Sequence, residues 1–293
     1  MKGGLKNQDG VKRLPSKRVL SLLLGLVVLL AVIYVFILEI QAKNMLKTPE
    51  EWKELMKQHP HQRRESDLRS PCPVVNTLAN HGFISRDGRQ VKYNDLYNAA
   101  IQLGLSPLAL ISVLKVAYNG LNEPKPGDHF VRQFIQPNTL DLDRLGVFSV
   151  LEHDVSLTRQ DLQVAPHSFS YPLPKYIHRM LKMAKDGTFT AQNEHDARKL
   201  RWLESVRDNR DIHLPLAAQF ASATECFLLM NVVGREGKLR ASHLESILLN
   251  ETFPEDWYPR QTMITPSELI NIFKCWSGVR SSQADLSLLD SLD

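Results

Sequence analysis

The chain has 293 residues, 43% of them hydrophobic and 23% charged, which excludes a disordered chain and leaves length for both a core and a cofactor. Its net charge of +4 is unevenly placed. Residues 1–18 carry Lys2, Lys6, Lys12, Arg13, Lys17 and Arg18 against Asp9 alone, so this tail supplies the whole excess and gives no reason to expect a nucleic-acid partner. Residues 19–38 follow, twenty in a row without a charge. At about 1.5 Å per residue, such a helix matches the roughly 30 Å hydrocarbon core of a bilayer. A cleavable signal peptide has a shorter apolar region ending in small residues, and Ile40-Gln41-Ala42 fits that poorly, so an uncleaved signal anchor is expected. Basic residues precede the span and Glu39 follows it, which places the N-terminus in the cytosol and the rest on the lumenal or outer side: a single-pass type II arrangement in the secretory pathway. Residues 39–68 are charged and polar and read as a juxtamembrane stalk, in which Thr48, Pro49 and Glu51 predict a capped helix over 49–58.

The run Ser70-Pro71-Cys72-Pro73-Val74-Val75-Asn76-Thr77-Leu78-Ala79-Asn80-His81-Gly82 places a cysteine immediately before a helix start. Pro73 suits the first helical position, and the free amides of Val74 and Val75 should point back at the sulfur and lower its pKa, as a metal ligand or nucleophile requires. A buried cysteine in a proline turn is the alternative reading of Pro-Cys-Pro by itself. With Leu-Ala-Asn-His-Gly and then Arg86-Asp87-Gly88-Arg89 in order, the segment closely resembles the proximal haem segment of the chloroperoxidase and unspecific peroxygenase family. The resemblance implies an all-α haem-thiolate domain over 69–278, with Cys72 as the axial ligand of haem b iron and Val74 and Val75 beside it. His81, inside the matched run, is read as structural. With Cys72 assigned to iron, Cys226 and Cys275 could pair, but their spacing does not demand it, and buried free thiols are expected.

Helical spacing of apolar residues recurs over 93–103, 107–118, 174–185, 195–207, 216–233 and 266–276. Ser106-Pro107 and Thr265-Pro266 set a capping hydroxyl before a first-turn proline. Strand-like alternation is scarce, best over 145–151, and 163–175 reads as a proline-rich loop. Asn250-Glu251-Thr252 is a glycosylation sequon, and the serine-rich, acidic stretch 279–293 is expected to fray.

Glu152-His153-Asp154-Val155-Ser156 is the second segment that resembles the family, in the form found in its shorter branch. The resemblance implies that the Glu152 carboxylate, the His153 carbonyl and the Ser156 hydroxyl hold Mg or Mn beside a haem propionate. The His153 ring would face the distal pocket and Asp154 would accept its hydrogen bond. Glu225 is the acidic residue of an otherwise apolar helical stretch and is taken as the distal acid–base group; Glu194, Glu204 and Glu236 sit in more polar surroundings. Pairing of Glu225 with an internal arginine, or capping of a neighbouring helix, is the structural alternative. Phe220, Phe227 and Leu228 are read as core in preference to substrate-lining. The late element Phe253-Pro254-Glu255-Asp256-Trp257 also resembles the family. Hydrogen peroxide and a hydrophobic organic substrate are the implied partners; halide oxidation, or haem binding without turnover, are the other functions considered.

Overall fold

The computed structural model describes residues 17–120, 139–147, 152–166 and 169–279, and the protein is predominantly helical, as expected. Helix α1, Lys17–Lys43, is a candidate membrane span: its aliphatic side chains face outward and none of its most apolar stretch is buried. A second helical stretch, Leu216–Val233, passes the same length and composition test, but half of it is buried in the core.

Residues 42–293 form the other compact unit. It starts earlier than the expected stalk allows. Helix α2, Pro49–Gln58, is closed by a capping box in which Thr48 Oγ1 accepts from the Glu51 amide and the Glu51 carboxylate accepts from the Thr48 amide. Its Trp52 is buried, stacks on Phe83 at 5.4 Å and meets Phe253 and Trp257 edge-on. A residue of that area gains more from an aromatic core than from solvent, so much of 39–68 is wall and not stalk.

Helix α3, Pro73–Asn80, follows Cys72 directly and packs on α9, Ala241–Leu248. Helices α4, Tyr93–Gln102, and α5, Pro107–Gly120, pack on each other, with the short ribbon β1, Val91–Lys92, and β2, Thr139–Leu140, beside them. The strand expected over 145–151 is corrected in part: Leu142–Gly146 is a 3-10 helix, and residues 148–151 lie outside the described residues. Helix α6, Pro174–Met183, packs against α7, Ala191–Asp208. Helix α7 begins four residues before the sequence reading, because Thr190 and Asn193 form a capping box upstream of the first apolar repeat. A second ribbon pairs β3, Thr188–Thr190, with β4, Lys238–Arg240.

Helix α8, Leu216–Leu228, runs into one π-helical turn, Leu229–Val233. Wide turns free backbone carbonyls, and here they are met individually: Asn231 Nδ2 donates to Phe227 O, Arg260 to Asn231 O, Arg235 to Val232 O and Trp257 Nε1 to Val233 O. The expected 266–276 helix divides into α10, Pro266–Leu269, and α11, Asn271–Val279, and α11 packs on α8 and α7. Cys226 and Cys275 form a disulfide between α8 and α11, which corrects the expectation of free thiols. Sequence spacing held no sign of it, since only the packing of the two helices brings their Cα atoms to 5.9 Å.

Candidate functional site

The proximal segment is held by its own polar side chains. Asn76 Oδ1 accepts from the Ser70 amide at 2.8 Å and hydroxyl at 2.9 Å, while its Nδ2 donates to Ser70 O and to Glu251 Oε1, both at 2.8 Å. The Ser70 hydroxyl in turn accepts from the Cys72 amide at 3.2 Å. Asn80 Oδ1 accepts from Arg69, and its Nδ2 donates to Glu251 O. His81 is buried and structural: Nδ1 donates to His59 O at 2.7 Å, while Nε2 accepts from the Phe253 amide. Burial holds it well below the ordinary histidine value, at about 4. Gly82 and Gly88 adopt φ of +72°. A Cβ on Gly88 would lie 2.1 Å from the Leu68 carbonyl oxygen, so the Arg-Asp-Gly-Arg turn needs glycine there.

Cys72 is the free cysteine and is exposed to solvent, yet protein surrounds it densely. Glu225, with half of its side chain exposed, has the same character. The charge of Glu225 acts on both Cys72 and Glu152. Burial pushes the Cys72 thiol up, and the Val75 and Val74 amides pull it down without prevailing. The helix start therefore acts as expected, but the net direction is the opposite of the one expected.

Both oxygens of Glu225 have a cationic neighbour. Oε1 lies 3.4 Å from His153 Nε2, and Oε2 lies 3.5 Å from Arg198 Nη2. His153 Nδ1 is 2.8 Å from Asp154 O, an acceptor that obliges Nδ1 to carry a proton. Nε2 also lies 3.2 Å from Ser222 Oγ. Burial opposes charge on His153, but Glu225 and the Asp154 carbonyl raise it to about 9, so the imidazolium donates from both nitrogens. Burial likewise opposes charge on Glu225, and His153 and Arg198 outweigh it and hold the carboxyl below its ordinary value.

Asp154 accepts a hydrogen bond from the His153 ring as expected, but through its backbone. Its backbone carbonyl, not its carboxylate, meets the His153 ring; Oδ2 accepts from the His213 amide at 2.7 Å, and Oδ1 is buried without a partner. Glu152 is buried, its Oε1 unpartnered, and desolvation raises it to about 7. Val155, which follows Asp154, has φ of +67°, and the backbone of the next residue is fixed where Arg201 Nε donates to Ser156 O at 2.8 Å. No group of three or more His, Cys, Asp or Glu side chains that could hold a metal is found among the described residues.

The competing glutamates fall elsewhere. Glu194 is buried against Arg198 at 2.9 Å, Glu204 joins Arg179 and Arg201, and Glu236 is exposed in a turn. Phe227 is core and Leu228 packs on it, whereas Phe220 is exposed and edge-on to Trp276. Arg198 and Glu251 were missed from the sequence. Glu251 is wholly buried and gathers Arg63, Arg159 and Asn76, although only its sequon neighbour Asn250 drew notice. Arg198 had one legible signal, its i,i+4 spacing from Glu194.

The donor set fits a haem held through sulfur: a free, solvent-accessible thiol stands at a helix start, and the charge of Glu225, paired with His153, acts on it. Comparison with known proteins agrees. The chain is 26% identical over 162 residues to the aromatic peroxidase fscJ of Fusarium equiseti, a match covering 51% of this chain and 37% of that protein. It is 32% identical over 97 residues to the chloroperoxidase of Leptoxyphium fumago, covering 33% of this chain and 24% of that one. The matched part thus spans well under half the length of either relative. Residues 58–262, more than half of the chain and inclusive of Cys72, Glu152, His153 and Glu225, match the family described as Peroxidase, family 2, and the chain belongs to that family.

Proposed function

We propose that this protein is a membrane-tethered haem-thiolate peroxidase that uses hydrogen peroxide to oxidise a hydrophobic organic substrate. The observation that carries the reading is the pairing of Glu225 with His153, with the charge of Glu225 acting on the solvent-accessible Cys72 thiol. Cys72 would hold haem through its sulfur, and the bound haem would supply redox chemistry towards peroxide, with thiolate ligation favouring O–O cleavage. Glu225, held ionised, would take a proton from one peroxide oxygen and return it to the other, which would leave as water. His153 and Arg198 keep the carboxylate available for that transfer, and Ser222 limits the swing of the His153 ring. Glu152, the His153 carbonyl and the Ser156 hydroxyl would hold Mg or Mn; the unpartnered Glu152 Oε1 supports this, since a buried carboxylate oxygen wants a cation or a donor.

The apolar α1 serves as signal anchor and places residues 42–279 in an oxidising lumen, in keeping with the disulfide. Asn250 is exposed and available to a glycan. Exposed Phe220 supports an apolar substrate. Halide oxidation at the same site is the second reading, and the chloroperoxidase relative favours it.

The test is the absorption spectrum of the reduced, carbon-monoxide-treated protein, for wild type and Cys72→Ala. A strongly red-shifted Soret band that disappears in the variant supports thiolate ligation. A spectrum of the histidine type, indifferent to the substitution, would overturn it. Peroxide-driven turnover of apolar aromatics against that of chloride and bromide then separates the two readings.

A further inference from the structure

We propose that Arg198 is a positioning residue for Glu225: its ion pair to one carboxylate oxygen, beside that of His153 to the other, restricts the orientation of the group. This rests on the reading of Glu225 as the acid–base group. Glu225 is half-exposed, and a glutamate side chain has three rotatable bonds. A single ion pair, to His153 at 3.4 Å, leaves the carboxylate free to turn about it; a second, to Arg198 Nη2 at 3.5 Å, a buried nitrogen with no hydrogen-bond partner among the described residues, restricts that freedom. Acid–base groups lose much of their effect when displaced by about 1 Å, so a fixed plane matters.

Arg198 is itself rigid. It is wholly buried on α7, where its Nε donates to Glu194 Oε1 at 2.9 Å. Its Nη1 reaches Val155 O at 3.5 Å. Val155 lies two residues beyond His153 and has φ of +67°, a backbone state that a β-branched residue keeps only where its surroundings impose it. Asp161 Oδ1 accepts the Val155 amide at 3.0 Å on the other side of the same turn. One guanidinium therefore spans the loop that carries His153 and the helix that carries Glu225. Its planar fork sets the spacing of that pair from both ends, which the single ammonium of a lysine cannot do.

Simple truncation of Arg198 would leave Glu194 buried without its partner, so two milder variants are used. Arg198→Lys keeps the charge and loses the fork, and Arg198→Met with Glu194→Met removes the pair together. In the full-length, haem-loaded protein, stopped-flow spectroscopy reads the rate of reaction with peroxide, and optical titration reads the cyanide dissociation constant. Both variants are expected to retain the wild-type carbon-monoxide spectrum, to react with peroxide about 10- to 100-fold more slowly and to bind cyanide about tenfold more weakly. Adding Arg198→Lys to Glu225→Gln should produce no slowing beyond that of Glu225→Gln alone. Wild-type rates in haem-loaded Arg198→Lys, a double variant slowed by the product of the two single effects, or loss of haem by both Arg198 variants would each overturn the assignment. If Glu225→Gln is slow while Arg198→Lys is not, only the role of Arg198 falls. If Glu225→Gln itself reacts at the wild-type rate, the acid–base reading falls with it.

Discussion

The disulfide between Cys226 and Cys275 can be removed without replacing Cys72, His153, Arg198 or Glu225. Cys226 follows Glu225 in α8, but its own side chain lies in the core, and Cys275 is buried beside it on α11. The bridge joins residues 49 apart. Closing a loop of that length removes on the order of 14 cal/mol/K from the denatured ensemble, or about 4 kcal/mol at 25 °C. Replacing both residues by alanine also deletes two buried sulfurs, for about 1 kcal/mol more, whereas serine would add buried hydroxyls. A loss of about 4–5 kcal/mol is a large share of an ordinary domain's stability and should lower the melting midpoint by about 10 °C or more. Urea denaturation followed by far-ultraviolet circular dichroism, with and without reductant, is the assay. Reductant should move the wild type close to the midpoint of Cys226→Ala/Cys275→Ala and leave that variant where it is. Equal midpoints for wild type and variant under oxidising conditions would refute the reasoning, since neither a formed bond nor a disordered denatured loop could then be assumed.

Three further outcomes are expected. His81 titrates near 4 when folded and near 6.5 when unfolded, so between those values the unfolded chain binds the extra proton; the stability it contributes is complete above pH 6.5 and lost as pH falls towards 4, up to about 3 kcal/mol. Urea midpoints should therefore fall less steeply across that window in His81→Gln than in wild type, and parallel slopes would count against it. Trp52→Ala should destabilise the protein by about 3–5 kcal/mol, because Trp52 is core; a stalk residue would move the midpoint by less than about 0.5 kcal/mol. Chelation followed by return of Mg or Mn should lower and then restore the melting temperature of wild type but not of Glu152→Gln, and an identical response in both would remove Glu152 from the cation site.

The helices were legible because their signals are local. Apolar spacing over 216–233 marks α8, and Thr48 with Glu51 marks the start of α2, since a capping box is complete within four residues. The π turn that ends α8 was not legible, because distant partners such as Trp257 and Arg260 stabilise it by donating hydrogen bonds to its freed carbonyls. The short ribbons were missed for a similar reason: two- and three-residue strands carry too little alternation to register, and pairing across long intervals defines them.

The site divides along the same line. Sequence by itself determined the family resemblance, the helix start behind Cys72, the apolar N-terminal segment and the choice of Glu225 as the odd acid in an apolar helix, because each is a property of neighbouring residues. Tertiary structure alone decided that α2 belongs to the core, that Cys226 meets Cys275, that the Asp154 carbonyl and not its carboxylate orients His153, and that Arg198 and Glu251 are hubs. Glu251 meets Arg159 across 92 positions and Asn76 across 175. Charge pairing in a desolvated interior depends on which helices pack, and no local pattern encodes which distant guanidinium will face a given carboxylate.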